Sequence, residues 1–258
     1  MNAEMIYTQQ VGAVLTLTLA RPERRNALSL QLMRDLTANL QAAAGNRSVE
    51  AIILAAQGKV FSSGHDLSEM TGRSEAEYRE IFETCSVMME TLQRLPQPVI
   101  AMVQGLATAA GCQLVAACDV AVASEQAAFA TPGVKIGLFC STPMVPLSRA
   151  IGRKRALEML LTGRLVSAQE AADWGLVNRV VPPEQLDEAT RTLAAQIVTA
   201  SSFTVGLGKQ AFYRQLDLDQ HRAYEFASAT MTENALAPDA QEGITAFLQK
   251  REPRWAGR

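Results

Sequence analysis

Histidine, paired cysteines and blocks of like charge are what this 258-residue chain has least of. Two histidines, His65 and His221, exclude an imidazole-rich metal site. The four cysteines, Cys85, Cys112, Cys118 and Cys140, show no paired spacing, which fits buried thiols in a reducing compartment rather than a disulfide frame. A net charge of −2 without a long basic block argues against nucleic acid as the main partner. Sixteen Gly and ten Pro are ordinary numbers, so collagen-like and broadly disordered classes drop out. The opening MNAEMIYTQQ has neither a basic nor an apolar leader region, so no secretory signal and a bacterial-type cytoplasmic location are expected.

What the chain does have is 48% hydrophobic residues, enough at this length for a sizeable core. Leu95 to Cys118 carries no charge and is long enough to cross a membrane. Pro96, Pro98, Gln104, Gly105, Thr108, Gly111 and Gln113 interrupt it, so a buried strand, a turn and a buried helix are expected there instead.

Strand and helix patterns alternate through the first half. Val14 to Leu19 alternates as a strand that ends at Arg21-Pro22, and Ala51 to Ala55 reads as a buried strand. Ser29 caps a helix with Leu32, Met33, Leu36 and Leu40 on one face, stopped by Gly45. Ser74 and Glu77 form a capping box ahead of a helix bearing Ile81, Cys85, Met88, Leu92 and Leu95. Val99 to Val103, Ala109 to Ala117 and Val120 to Ala123 follow as strand, helix and strand. Beyond residue 143 the pattern turns helical, with a second capping box at Ser167 and Glu170 and a strand at 176–181. Helices are expected at 183–200, 202–216, 218–236 and 239–251. An α/β core followed by a helical C-terminal part accounts for this order.

Several catalytic motifs fail. Gly206 to Ala211 fits a dinucleotide fingerprint loosely but sits among helices. Ser63, His65 and Asp66 are too close in sequence for a triad, whose members meet by folding. Met88 and Met89 read as core filler. Two glycine-bearing turns remain, Phe61-Ser62-Ser63-Gly64-His65-Asp66-Leu67 and Gln104 to Gln113, each after a buried strand. Each alone is a tight structural turn. Together they aim two backbone N–H groups at one point, the second at a helix N-terminus, an arrangement that binds a developing oxyanion.

Arg21-Pro22 through Asn26-Ala27-Leu28, Phe61 to Leu67, Pro98 to Cys118 with Asp119, Phe129 to Gly137, Leu161-Thr162-Gly163 through Ser167-Ala168, Trp174 to Val177 and Gly243 to Arg251 resemble the crotonase (enoyl-CoA hydratase/isomerase) superfamily over essentially the whole chain. The nearest likeness is to its mitochondrial enoyl-CoA hydratase domain-containing branch, with FSSGHDL and GLATAAGCQL. The resemblance implies a ββα spiral core over residues 1–195. A C-terminal helical part over 196–258 would assemble trimers or dimers of trimers. It also implies an acyl-CoA substrate of fatty acid metabolism and lyase-type chemistry, with no metal or redox cofactor, coenzyme A entering as part of the substrate.

By motif, the thioester oxygen would lie between the N–H groups of His65 and Ala110. Asn26, Ala27, Leu28, Asp66, Leu67 and Ser68 would line the acyl-CoA path, and Phe247 and Lys250 would reach a neighbouring subunit's CoA. The two glutamates used by hydratases of the family fall at Gln113 and Gly133, so both carboxylates are missing. Efficient hydration is therefore not expected, because general acid–base catalysis supplies ~10²–10⁴-fold. His65, titrating near neutrality, and Cys140 are the remaining candidates for proton chemistry. Decarboxylation of a malonyl-type CoA and a non-catalytic acyl-CoA-binding role stay open beside the enolate-forming enzyme.

Overall fold

The computed structural model describes residues 5–258. The first four residues, part of the stretch expected to lack a leader, lie outside them. Two sheets organise the core. The larger has the order β1 (Ile6–Val11), β2 (Val14–Leu19), β3 (Ala51–Ala56), β5 (Val99–Val103), β7 (Val120–Ser124) and β10 (Arg179–Val181). The smaller has the order β4 (Val60–Ser62), β6 (Leu106–Thr108), β8 (Ala128–Ala130) and β9 (Val166–Ser167). Successive strands β3/β4, β5/β6 and β7/β8 thus fall alternately on the two sheets, so the chain advances as a spiral of ββα turns.

Periodicity explains the layers. Ile52 and Leu54 of β3 join the main core, whereas Ile53 and Ala55 join a second cluster with Ile100, Val122, Leu186 and Ala194. Alternate residues of one strand therefore face opposite sides of the large sheet. The main core takes in Phe61, Val103 and Phe129 together with α1 (Leu30–Ala44), α2 (Glu75–Arg94) and α3 (Ala110–Ala117). The other face is covered by α7 (Leu186–Ile197).

Local signals set the helix ends. The Ser29 side chain accepts from Leu32 N–H at 3.2 Å, and Ser74 and Glu77 make both bonds of a capping box. At Ser167 only half of the expected box forms. The hydroxyl accepts from Glu170 N–H, but the Glu170 carboxylate is taken by Arg164 at 2.6 and 3.1 Å. The charged pair outcompetes the neutral backbone donor.

The strand expected over 176–181 is confined to Arg179–Val181, because Leu176 and Val177 are buried side chains following the left-handed Gly175. The expected helix 183–200 opens as a 3₁₀ turn at Pro183–Gln185 and is α-helical only as α7. Helices α4 (Met144–Ile151), α5 (Arg153–Thr162) and α6 (Ala168–Trp174) precede it, and α8 (Ser202–Gln215), α9 (Gln220–Leu236) and α10 (Pro238–Leu248) complete the chain.

The uncharged run from Leu95 divides into β5, β6 and α3, and among the described residues no helix is long and apolar enough to cross a membrane. A buried ion pair pins α8 to the core. Lys209 Nζ lies 2.7 Å from Asp119 Oδ2 and donates to the carbonyls of Leu92 and Gln97 at 2.7 and 2.8 Å. Asp119 also accepts from Val99 N–H and Tyr213 O–H.

Candidate active site

The site follows from the small sheet. Strands β4, β6 and β8 are parallel neighbours, so their C-terminal ends leave the sheet at one edge. The three turns that follow, 63–66, 109–110 and 131–133, therefore emerge side by side although they come from different coils of the spiral.

The first turn is held against the segment after β2. Leu28 N–H donates to Gly64 O at 2.8 Å and Asp66 N–H donates to Leu28 O at 3.2 Å, forming a parallel bridge between Leu28 and His65. In such a bridge the groups of residues 64 and 66 face Leu28, so the N–H of His65 points to the opposite side. The second turn packs against Gly64. A Cβ built on Gly64 would stand 2.8 Å from Ala109 Cβ and 3.0 Å from Ala110 N. Gly64 also sits at φ +87°, so glycine is required twice over, by conformation and by contact.

Ala109 occupies φ 51°, ψ −121° as the N-cap of α3 and gives no side-chain cap. Its own N–H donates to Ala130 O at 2.9 Å, which locks this strained residue to β8. The first N–H groups of a helix have no intrahelical acceptor. Among the described residues, no carbonyl accepts from Ala110 N–H or from His65 N–H. Two unspent donors, one at a helix N-terminus, therefore lie on turns in van der Waals contact.

The side chains around them have defined states. The His65 ring packs edge-on against Phe82 of α2, with centroids 5.6 Å apart, and its Nε2 is buried without a partner. Burial lowers its pKa to about 4. The expectation of an imidazole titrating near neutrality is thereby corrected: His65 is neutral at pH 7, because the apolar wall of α2 penalises the cation.

Gln113 is buried one turn into α3, and its Oε1 accepts from the Cys85 thiol at 3.9 Å. Gly133 is closed off. A Cβ there would meet Leu138 O at 2.1 Å and Cys140 Sγ at 2.8 Å, so the backbone and thiol of the loop behind it fill the path of a side chain. Burial raises the Cys140 pKa and keeps it a thiol, with the Gly133 N–H as a weaker opposing influence. The other three cysteines are also buried and free.

The residues expected along an acyl-CoA path divide by what their atoms already do. Asn26 is fully buried at φ 50°. Its Oδ1 accepts from Arg21 N–H, and its Nδ2 donates to the carbonyls of Gln57 and Val60. Its backbone is engaged as well, the N–H donating to Arg21 O at 2.9 Å and the carbonyl accepting from the Ser62 hydroxyl at 2.8 Å, so Asn26 braces the turn from within. Ala27 and Leu28 are buried beside it, whereas Leu67 is exposed. Asp66 Oδ1 accepts from the N–H and hydroxyl of Ser68 at 3.2 and 2.7 Å. Burial pushes the Asp66 carboxyl up, but those bonds and the cations of Arg21 and Arg24 outweigh it and hold its pKa below the ordinary value. Phe247 and Lys250 stand at the end of α10, which packs on α8 and α9.

Sequence reasoning placed Arg21 in a matching segment but gave it no role in the site. Its guanidinium donates to Ala27 O at 3.1 Å and pairs with Asp66 at 3.5 Å, clamping the two segments that frame the turns. No local pattern links positions 21 and 66. Phe82, which packs on the buried His65 ring, was hidden in the same way on a different element.

A family model described as enoyl-CoA hydratase/isomerase matches residues 9–258. The rat protein named enoyl-CoA hydratase domain-containing protein 3, mitochondrial, is 51% identical over 250 residues, covering 96% of this chain and 83% of that protein. A crystal structure of human enoyl coenzyme A hydratase domain-containing protein 3 superposes with a TM-score of 0.95 at 49% identity, covering 98% and 100% of the two chains. A Mycobacterium smegmatis enoyl-CoA hydratase structure gives 0.95 at 48% identity, covering 98% and 99%.

The expectation of a bacterial-type cytoplasmic protein does not stand against these relatives, since the rat protein is mitochondrial by name. An organelle leader is removed from the mature protein, so the residues that build the fold do not encode the compartment. With its ββα spiral and a family match running almost from end to end, this chain belongs to the enoyl-CoA hydratase/isomerase (crotonase) family.

Proposed function

We propose that the chain binds an acyl-CoA thioester with its carbonyl oxygen between the N–H groups of His65 and Ala110, and stabilises the thioester enolate there. The observation that carries this reading is the pair of unspent donors on turns joined at Gly64. An enolate concentrates negative charge on one oxygen, and a preorganised donor aimed at it is worth about 3 kcal/mol. Backbone donors do not depend on side-chain identity, so alanine serves at 110 as glycine would. Ala27, Leu28, Asp66, Leu67 and Ser68 line the path, with Asn26 bracing them from the interior. Phe247 and Lys250 serve a neighbouring copy in a trimer or a dimer of trimers.

Hydration is not the favoured outcome. It needs groups that give and take protons at the α and β carbons, and Gln113 cannot exchange one at neutral pH. Position 133 offers no side chain and no room for one.

That closure favours decarboxylation of a malonyl-type thioester as the reaction. The bond from the α carbon to the carboxylate breaks, carbon dioxide leaves, and the electron pair passes into the enolate held by the two amides. A proton then returns to the α carbon. The neutral His65 does not carry it as an imidazolium, whereas the Cys140 thiol and water still hold theirs at pH 7.

A panel of crotonyl-, 3-enoyl- and methylmalonyl-CoA tests these readings, with calorimetric binding measured alongside turnover. Loss of carbon dioxide from methylmalonyl-CoA, with crotonyl-CoA hydration at least ~10²-fold below an efficient hydratase, is expected. Efficient crotonyl-CoA hydration refutes the decarboxylase reading. Binding without turnover of any thioester identifies a binding protein, and absence of binding removes the thioester reading itself.

A further inference from the structure

Helix α2 touches the site at two places with one face. Phe82 and Cys85 stand three residues apart, so they project from the same side of the helix. Phe82 packs on the His65 ring, and the Cys85 thiol reaches Gln113 Oε1 at 3.9 Å. One helix therefore seats a side chain from the first turn and another from α3.

Gln113 follows Ala110 by three residues, which puts both on one face of α3, about 4.5 Å apart along its axis. Helical side chains lean towards the N-terminus. The Gln113 amide thus lies towards the end of α3 where the Ala110 N–H is unspent. Gln113 is 3% exposed, and among the described residues no acceptor answers its Nε2. The amide is not sealed in, however, because Gln113 borders a cavity of about 960 Å³ between α2, α3, α4 and α8.

Cys85 sets which way this amide faces. The thiol is fully buried, and desolvation pushes its pKa up to about 12, so it keeps its proton at pH 7. A donor on one side of a primary amide holds the carbonyl oxygen there and turns the NH₂ group away. Two donor hydrogens are left for whatever lies beside the thioester. A hydrocarbon substituent would leave them unanswered, which is costly in a buried place. A carboxylate would answer them with charge-assisted bonds.

We infer that Gln113 is a specificity-determining residue and Cys85 its positioning residue: the NH₂ group turned away from the thiol donates to a carboxylate on the α carbon of the bound thioester, so the site selects malonyl-type acyl groups over plain hydrocarbon ones. The inference rests on the thioester reading above and adds a contact that reading did not use.

The test compares propionyl-CoA with 2-sulfopropionyl-CoA by calorimetry on the full chain. The second ligand carries a sulfonate where methylmalonyl-CoA has its carboxylate, so it offers the same acceptors without losing carbon dioxide. The unmodified protein is expected to bind the sulfonate at least about tenfold tighter, the worth of one hydrogen bond to a charged group. Gln113→Met, similar in length but without a donor, is expected to bring the two ligands within about twofold. Cys85→Ala is expected to lose most of the preference and Cys85→Ser, which keeps a donor proton, to retain it. A preference that is absent from the unmodified protein or survives Gln113→Met overturns the inference, while propionyl-CoA binding keeps the thioester reading. Equal weakening of both ligands by Cys85→Ala, or a Cys85→Ser variant no better than Cys85→Ala, overturns it as well. Failure of the unmodified protein to bind either ligand removes that reading and this one together. Should Gln113→Met not fold, the two Cys85 variants decide by the same comparison.

Discussion

Replacing Gly64 by alanine probes the contact on which the site depends. The new methyl would lie 2.8 Å from Ala109 Cβ, 2.9 Å from Thr108 O and 3.0 Å from Ala110 N, at φ +87°. The left-handed conformation costs alanine roughly 1–2 kcal/mol, and overpacking adds about 1–3 kcal/mol, so a loss of about 2–5 kcal/mol in stability is expected. Relief to ordinary contacts of roughly 3.5–4.0 Å requires the 63–66 turn and the α3 N-terminus to part by about 0.5–1 Å. That takes one amide out of range of a shared oxygen, which costs about 10²–10³-fold in turnover. Urea unfolding and thioester turnover measure the two effects. Gly72→Ala is the control, since Gly72 has φ +67° but nothing within 4 Å, so it carries the strain without the clash. If Gly64→Ala matches Gly72→Ala in both stability and activity, the two turns do not meet as described.

Three further outcomes follow from the same coordinates. Gly133→Glu combined with Gln113→Glu should lower stability by several kcal/mol, ~3 or more, and fail to restore hydration. A stable double variant that hydrates crotonyl-CoA efficiently contradicts the closure of position 133. Because His65 is neutral in the fold with a pKa of about 4 against 6.5, the unfolded chain gains its proton first as pH falls. Stability from this group is full above pH ~6.5 and lost towards pH ~4, by about 3 kcal/mol in all. His65→Leu should flatten that part of a pH–stability curve, and an unchanged slope would show that other groups cause it. Lys209→Met leaves the Asp119 carboxylate buried without its cation and should cost about 3–5 kcal/mol in chemical denaturation. A cost under ~1 kcal/mol would mean that water enters to replace the lysine.

What was legible in the sequence was what adjacent residues decide. The Ser29 cap, the Ser74–Glu77 box and the strand at Ala51 all depend on neighbours within a few positions, and all appear. The capping box at Ser167 was legible only by half, because Arg164 lay outside the pattern and took the glutamate. That positions 113 and 133 carry glutamine and glycine was equally plain, since a residue type is itself the observation.

Tertiary structure alone decided how those residues behave. A charge state depends on what surrounds a group: burial, with Phe82 from seventeen positions along the chain packed on the ring, keeps His65 neutral. Space depends on what else arrives, and the Leu138 carbonyl and Cys140 thiol fill the space beside position 133, which sequence shows only as glycine. The amides of 65 and 110 lie on neighbouring turns because β4 and β6 are parallel partners from successive coils. Local chemistry fixes which groups a chain possesses, but desolvation, contact and the convergence of distant turns exist only once it has folded.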